Sequence, residues 1–254
     1  MKQVFFSIPL ASKMPSGQNW RLLEALLSRT LRSVLNQDDA NFVALVCSHD
    51  RPDIPEMDEG RVVFLQSTVD RITEIKDGPA DKGRKRKQMY TEIAKRGGGY
   101  VVMLDSDDLV SSRLVSYMRR VDSPYGYTFR TGFALDHESG ACAPIPGAWS
   151  KPFTQVCGSS AAIFMNPEDA KSINGAPPYM HLFRQHSLWE QVAMEAGRPL
   201  VRVPFPPVMY RVNTPTSLHA QISEERANRV DEIAGLVREH RLHFDDTAKR
   251  EFAL

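Results

Sequence analysis

The chain has 254 residues, of which 42% are hydrophobic and 25% charged, so it is long enough to bury a sizeable core. Its formal net charge of +1 argues against attraction of the whole chain to nucleic acid or to an acidic partner. Three widely spaced cysteines do not form a disulfide framework, and no apolar run reaches the ~20 residues of a membrane span. These features predict a cytoplasmic protein.

The first half of the chain alternates apolar runs with amphipathic segments. Residues 4–8, 42–47, 62–65 and 100–104 are apolar runs that predict strands. Helical spacing of apolar residues predicts a first helix over 20–35 and a second around 89–94, after a polar, basic stretch. Strands that alternate with helices indicate βαβ units and a largely parallel sheet.

The second half has a looser pattern. It predicts a helix around 114–118, one alternating strand over 127–135, and short strands over 161–164 and 208–212. It also predicts helices over 188–196 and 223–243. The class is therefore α/β, with a nucleotide-binding type of first half and a mixed second half.

Three carboxylates, Asp105, Asp107 and Asp108, directly follow the run over 100–104. Ligands of open parallel sheets bind outside the carboxyl ends of the strands, where Asp50 also lies. Carboxylates spaced i, i+2 can bind one Mg²⁺ or Mn²⁺, and such an ion can stabilise a leaving diphosphate. The alternative is that one aspartate caps the next helix, for which Asp108 is the best candidate.

A basic run over residues 82–87 holds five of the 32 Lys and Arg side chains. We interpret it as a loop before a helix, whose N-terminus also favours anions. Lys82 and Arg84 are therefore the expected anion contacts, and Arg86 and Lys87 are expected to point elsewhere. The alternative is a solvated surface.

Four segments together resemble the GT-A-fold glycosyltransferases, in particular the inverting enzymes of family 2: "VFFSIPLASK", "LLSRTLRSVLNQ", "FVALVCSHD" and "DKGRKRKQMYTEIAKRGGGYVVMLDSDDLV". The resemblance covers roughly the first half. It implies a GT-A-like, mostly parallel sheet flanked by helices, a mixed second half and a C-terminal helix. It divides the chain into a nucleotide-sugar donor-binding half (1–109), an acceptor-binding half of the same compact domain (110–220) and a C-terminal helical tail (221–254).

The resemblance also implies site residues. Asp50 would contact the nucleobase, Asp105 the donor ribose and the metal, and Asp107 would be the main metal ligand. The full set of expected donor contacts is Pro9, Asp50, Lys82, Arg84 and Asp105. The expected ligands of Mn²⁺ or Mg²⁺ are Asp105, Asp107 and His219.

The catalytic base is harder to assign. In inverting members a carboxylate, often in a Glu-Asp pair that opens a helix, deprotonates the acceptor hydroxyl. Gln185 and His186 occupy that place here. His186 could act as the base, as could Glu190 one helical turn later. A cap or packing role for His186 and a surface role for Glu190 are the alternatives.

The main hypothesis is a metal-dependent glycosyltransferase that moves a sugar from a nucleotide-sugar donor to an acceptor hydroxyl with inversion. The acceptor would be a glycan or glycolipid in polysaccharide or glycolipid synthesis, and the protein would contact the inner membrane face peripherally, without nucleic acid. Three rivals remain: a haloacid-dehalogenase-type phosphatase with Asp105 as nucleophile, a sugar nucleotidyltransferase, and a binding protein that uses the basic run.

Overall fold

The structure, a computed structural model, describes residues 2–13, 19–147, 150–172, 175–215 and 224–254. The strands in these ranges are β1 (Val4–Pro9), β2 (Phe42–Ser48), β3 (Val62–Gln66), β4 (Gly99–Met103), β5 (Leu109–Val110), β6 (Gly126–Thr128), β7 (Gly132–Asp136), β8 (Cys142–Ile145), β9 (Ala161–Met165), β10 (Val201–Arg202) and β11 (Val208–Val212). The α-helices are α1 (Trp20–Leu35), α2 (Gly78–Lys95), α3 (Leu114–Val121), α4 (Trp189–Glu195), α5 (Glu224–Glu239) and α6 (Asp246–Glu251). Short 3₁₀ helices lie at Pro55–Asp58, Ile75–Asp77, Phe153–Gln155, Pro167–Ala170, Tyr179–Leu182 and His186–Leu188.

The larger sheet has the strand order β10-β6-β9-β4-β1-β2-β3. β1 pairs in parallel with both β2 and β4, β2 pairs in parallel with β3, and β9 runs antiparallel to β4 and β6. The chain moves outward from β1 to β3 and then returns through α2 to β4, on the other side of β1. The carboxyl ends of β1 and β4 therefore flank the point where the strand order reverses, which is where open α/β sheets bind ligands.

Helices α1 and α2 cover opposite faces of this sheet. Successive side chains of a strand point to opposite faces, and in β1 Phe6 packs in one core cluster with Leu27 of α1. Phe5 packs in the other cluster with Met89 of α2. The apolar runs of the first half are continuous rather than alternating because both of their faces are buried.

A smaller sheet has the order β5-β11-β7-β8. β11 runs antiparallel to β5 and parallel to β7, and β7 and β8 are antiparallel. β4 belongs to the larger sheet and β5 to the smaller one, so residues 104–108 connect the two sheets. The fully buried Asp136 at the end of β7 accepts a hydrogen bond from Arg238 at 3.3 Å, which attaches α5 to this sheet.

The predicted fold class is confirmed: the protein is α/β, with a mostly parallel sheet flanked by helices, a mixed second half and a C-terminal helix. The predicted strands and the first helix of the first half lie at nearly the observed residues. Strands β6, β9 and β10, from the second half of the chain, complete the larger sheet. The division of the chain into three parts remains a prediction. Within the described ranges, no helix is both long and apolar enough to traverse a bilayer.

Two predictions about local structure are wrong. The strand predicted over 127–135 is two strands in different sheets, and the chain crosses between them at Gly132, where an added Cβ would lie 2.3 Å from the Phe153 ring. The basic run is not a loop but lies inside α2. That helix begins earlier than expected, at Gly78, with Pro79 in its first turn. A proline is tolerated there because the backbone N–H groups of the first turn have no partner within the helix.

A buried lysine attaches α2 to the end of β1. Lys85 is 1% exposed, and its ammonium donates to the Asp81 carboxylate at 2.6 Å, to the Leu10 carbonyl at 2.9 Å and to Ser12 Oγ at 3.1 Å. These three acceptors match the three N–H donors of the ammonium. The charge of Lys85 is therefore compensated by Asp81 within the helix, while the other two bonds fix the segment that follows β1.

The same network extends to β2. Ser12 Oγ lies 2.5 Å from His49 Nδ1, and His49 Nε2 lies 2.6 Å from the Val69 carbonyl. Because that carbonyl can only accept, Nε2 carries the proton and Nδ1 accepts from the Ser12 hydroxyl. The segments that follow β1, β2 and β3 are thereby joined around one buried cation.

Replacing Lys85 with Met should lower the free energy of unfolding by about 3–5 kcal/mol, because Asp81 would remain buried without its cation. The double variant Lys85→Met/Asp81→Leu should recover most of that loss. Denaturant titration measures both. Lys87→Met, at an exposed site of the same helix, is the control and should change stability by less than about 0.5 kcal/mol. A Lys85→Met variant as stable as this control would contradict the role of Lys85.

Candidate active site

The three aspartates follow β4 in a turn, in which the Asp108 N–H donates to the Asp105 carbonyl at 3.3 Å. The turn lies at the carboxyl end of β4, beside the end of β1. It therefore borders the crevice at which the strand order reverses. The structure gives the three carboxylates three different environments.

Asp105 is paired with two cations of α2. Its carboxylate lies 2.7 Å from Lys82 Nζ and 3.2 Å from Arg86 Nη2, and its side chain is 23% exposed. Lys82 and Arg86 are spaced i, i+4, so they share one face of the helix. Burial alone would raise the pKa of Asp105, but the charges of Lys82 and Arg86 outweigh it and lower the pKa to about 2.

Asp107 is half-buried, and its surroundings balance its negative charge only in part. Burial and the neighbouring charge of Asp105 raise its pKa to about 6, and Lys82 and Arg211 offset this only in part. No residue in the described part of the chain forms an ion pair with it. A cation beside Asp107 would relieve its repulsion with Asp105.

Asp108 is fully buried and has a structural role. It accepts hydrogen bonds from Ser159 Oγ at 2.5 Å, from the Arg211 N–H at 3.1 Å and from Cys157 Sγ at 3.3 Å. Burial, followed by the charges of Asp107 and Asp105, raises its pKa well above the usual value. The predicted cap is wrong, because β5 intervenes and the next helix, α3, begins only at Leu114.

The segment before β9 covers the other side of the turn. Ser159 Oγ accepts the Asp105 N–H at 2.9 Å while its hydroxyl donates to Asp108, so one buried serine joins two of the aspartates. At Gly158 an added Cβ would lie 3.2 Å from Asp105 Oδ2 and 3.6 Å from Lys82 Nζ. The missing side chain at Gly158 leaves space next to the Asp105–Lys82 pair.

The structure places the side chains of the basic run partly otherwise than the sequence predicted. Lys82 contacts Asp105, whereas Arg84 is exposed and, two residues along the helix, faces away from that pair. Its predicted donor contact therefore does not fit the geometry. The expectation that Arg86 points elsewhere is wrong, while Lys87 is exposed as expected. The i, i+4 spacing from Lys82 would have identified Arg86 once the run was assigned to a helix.

Asp50 lies at the end of β2 and joins two loops. Its two carboxylate oxygens accept from the Arg71 guanidinium at 2.8 Å each, and the Lys13 N–H donates to it at 2.9 Å. The hydrogen bond from Arg71 lowers the pKa of Asp50. Pro9 is the buried last residue of β1, paired with Cys47. The donor contacts expected of Pro9 and Asp50 remain predictions.

His186 begins a 3₁₀ helix directly before α4, on the Asp105 side of the crevice. Its Nδ1 lies 2.7 Å from the Thr154 carbonyl, and its charge contributes to the low pKa of Asp105. Trp189, 2% exposed, has its ring 6.3 Å from the His186 ring and 5.9 Å from the guanidinium carbon of Arg86. The structure thus brings His186 and Asp105 together around one buried tryptophan.

Glu190 has a different partner. Its carboxylate lies 3.6 Å from the guanidinium of Arg130, and both side chains are substantially exposed. Glu190 is thus one partner of an exposed ion pair, and its role as a base remains a prediction.

The metal site was predicted from three residues, one of which, His219, lies outside the described residues. Within the described ranges no group of three His, Cys, Asp or Glu side chains could hold a metal ion. Asp105 and Asp107 remain, and two carboxylates completed by substrate phosphates are a common way to bind Mg²⁺. Asp107 fits such an ion, because its pKa is raised and it forms no ion pair in the described part of the chain.

Comparisons with known proteins add little. No protein-family model matches the chain, and no curated protein is similar to it. A solved structure from Desulfovibrio desulfuricans G20, described as a nucleotide-diphospho-sugar transferase, has a TM-score of 0.41 and 11% identity, over 96% of this chain and 100% of that one. A CMP:2-keto-3-deoxy-manno-octonic acid synthetase complexed with CTP has a TM-score of 0.40 and 11% identity, over 91% and 99%. Likenesses this low carry no argument about function.

Ser159→Ala should lower the free energy of unfolding by about 1–3 kcal/mol, because it leaves the Asp105 N–H without a partner and removes one of the donors to the buried Asp108 carboxyl. Ser160→Ala is a matched control: Ser160 is also fully buried, but its hydroxyl forms no hydrogen bond with any residue that the structure describes. Its removal should be neutral or stabilising. Equal losses in both variants, measured by denaturant titration, would contradict the structural role of Ser159.

Proposed function

We propose that the protein is a metal-dependent glycosyltransferase that moves a sugar from a nucleotide-sugar donor to an acceptor hydroxyl, with inversion at the anomeric carbon. The observation that carries the proposal is the pairing of Lys82 and Arg86 with Asp105 at the reversal point of the sheet, next to Asp107, which forms no ion pair with a described residue. Opposite charges concentrated at this position suit a ligand that is both anionic and metal-bound.

Lys82 and Arg86 bind the donor diphosphate. Both side chains project from one face of α2 toward Asp105 and are held there by a helix that the buried Lys85 attaches to β1. Arginine and lysine form charge-assisted hydrogen bonds with phosphate oxygens. The two cations stabilise the negative charge of the leaving nucleoside diphosphate, without needing to move when the glycosidic bond breaks.

A Mn²⁺ or Mg²⁺ ion would be held by Asp107 and Asp105, with phosphate oxygens completing its coordination. When bound, it supplies further positive charge to the leaving diphosphate. Asp105 keeps its contacts with Lys82 and Arg86 and orients the donor beside the ion. Asp108 contributes only through its hydrogen bonds to Ser159 and Arg211, which hold the turn in place.

His186 is the base that activates the acceptor hydroxyl. The Thr154 carbonyl can only accept a hydrogen bond, so Nδ1 of the neutral ring carries the proton and Nε2 holds the lone pair. Nε2 removes the proton from the acceptor hydroxyl as its oxygen attacks the anomeric carbon. Attack from the side opposite the diphosphate inverts the anomeric centre. The acceptor is a glycan or glycolipid of polysaccharide or glycolipid synthesis.

Nucleoside diphosphates with Mn²⁺ should stabilise the protein against thermal unfolding. At 100 times its dissociation constant, a ligand that binds only the folded state contributes ~2.7 kcal/mol. Asp107→Asn should remove the metal-dependent part of this stabilisation. Differential scanning fluorimetry with UDP, GDP, dTDP and CMP, each with and without Mn²⁺, measures both effects.

Asp53→Asn is the matched control, since Asp53 is exposed and lies on the loop after β2. It should keep the full metal-dependent shift. Two results would contradict the proposal: no metal-dependent shift with any of the four nucleotides in the native protein, or an unchanged shift in Asp107→Asn.

The two candidate bases predict different kinetics. His186→Ala should lower kcat at least about 100-fold with little change in KM for the donor, because general-base catalysis typically contributes 10²–10⁴-fold. Glu190→Gln, which breaks only the exposed pair with Arg130, should stay within about tenfold of the native kcat. Steady-state assays with an active donor measure both variants, and the reverse order of effects would assign the base to Glu190.

A sugar nucleotidyltransferase is the second candidate. One observation favours it: two cations converge on Asp105, and they would stabilise a leaving pyrophosphate as well as a nucleoside diphosphate. The products separate the two functions. Nucleotidyl transfer releases pyrophosphate from a nucleoside triphosphate and a sugar phosphate, whereas glycosyl transfer releases a nucleoside diphosphate.

A further inference from the structure

A second group of basic side chains lies on the α1 side of the aspartate turn, where Thr30 of α1 donates to the Ser106 carbonyl at 3.0 Å. It consists of Arg29 on α1, Arg211 on β11 and His137 just after β7, and is called the Arg211 cluster below. Lys82 and Arg86 approach the turn from α2, on the opposite face of the larger sheet. The turn therefore lies between two separate positive regions.

Arg211 is the buried centre of this cluster. It is 3% exposed, its Nε donates to the Asp107 carbonyl at 3.2 Å, and its backbone N–H is bonded to Asp108. Its Nη2 is buried and has no hydrogen-bond partner among the residues that the structure describes. A buried guanidinium N–H without an acceptor is costly, which indicates that a ligand supplies one.

His137 lies beside Arg211 at the end of the smaller sheet. Arg211 is paired with Leu135 across the parallel strands β11 and β7, and the His137 N–H donates to the Val212 carbonyl at 3.0 Å. Because side chains two residues apart share a face, Arg211 and His137 lie on the same face. His137 Nδ1 is also buried, and within the described ranges it too has no partner.

The two arginines give the cluster positive charge, which the neighbouring Asp107 and Asp108 compensate only in part. Burial and then the charge of Arg29 lower the pKa of Arg211, although Asp107 and Asp108 oppose this effect. Burial, Arg211 and Arg29 lower the pKa of His137. The carboxylates nearest His137 are Asp136 and Glu138.

Neither carboxylate neutralises the cluster. Asp136 already accepts from Ser139, Asn213 and Arg238, so its charge is used within the fold. Glu138 is exposed and forms no ion pair with any residue that the structure describes. The exposed Arg29 marks the side on which solvent reaches the cluster.

We propose that the Arg211 cluster binds a phosphate group carried by the acceptor. This assignment rests on the proposed function, in which the donor diphosphate occupies the α2 side of the turn. A phosphate offers several acceptor oxygens, and arginine is suited to bind two of them at once. Thr214, three residues after Arg211 in the chain, is 3% exposed, and its Oγ1 has no partner in the described part of the chain.

The test uses inorganic phosphate, glycerol 1-phosphate and glycerol as probes, at constant ionic strength. All variants carry Lys82→Gln, which weakens phosphate binding at the α2 side. Thermal stabilisation is measured for Lys82→Gln alone, with added Arg29→Gln, and with added Arg21→Gln. Arg21 is exposed on the same helix and is the matched control, and Arg29 is exposed as well.

Glycerol 1-phosphate should stabilise Lys82→Gln and its Arg21→Gln derivative equally, and its apparent affinity should fall about tenfold in the Arg29→Gln derivative. Glycerol should have no effect. Equal affinity in the Arg29→Gln and Arg21→Gln derivatives would overturn the site, and stabilisation by inorganic phosphate alone would overturn the assignment to an acceptor. The native protein's metal-dependent nucleotide shift is measured separately, so failure of the proposed function is distinguishable from failure of this site.

Discussion

The buried ammonium of Lys85 is the interaction on which the crevice depends. It bonds to the chain just after β1 and is compensated by Asp81 within α2, so it fixes this helix against the centre of the sheet. Lys82 and Arg86 share the same helical face, and their reach to Asp105 follows from that attachment. A run of basic residues that could have been a solvated surface is thus divided by helical geometry into a buried attachment, two site cations and two exposed side chains.

The aspartate turn shows how environment separates three chemically identical groups. Asp105 is ionised between two cations, Asp108 is buried under Ser159 and Arg211, and Asp107 lacks an ion pair within the described ranges. The turn also joins the two sheets, because β4 belongs to the larger sheet and β5 to the smaller one. Ser159, which lies outside the turn, bonds to both Asp105 and Asp108 and so helps to hold the turn in place.

The sequence predicted the parts of the fold that depend on local pattern. Continuous apolar runs identified β1 to β4, and their order along the chain indicated where the aspartates would lie. The sequence-based prediction failed where tertiary contacts determine the structure. No local pattern shows that the chain passes from one sheet to the other at Gly132, next to Phe153, or that Lys85 is buried. Arg211 was missed as well, because its proximity to the turn arises from pairing between β5 and β11, which are about a hundred residues apart. The roles predicted for individual site residues all remain predictions: Pro9, Asp50, Lys82, Arg84, Asp105, Asp107, His186, Glu190 and His219.

The most direct test is to identify the product that the crevice forms. The native protein and Asp107→Asn are incubated with Mn²⁺ and a panel of nucleotide-sugars, and the released nucleotide is identified by chromatography. The account predicts that at least one nucleotide-sugar yields its nucleoside diphosphate with the native protein and not with the variant. Absence of any nucleoside diphosphate, together with phosphate-ester hydrolysis that is lost in Asp105→Asn, would contradict it.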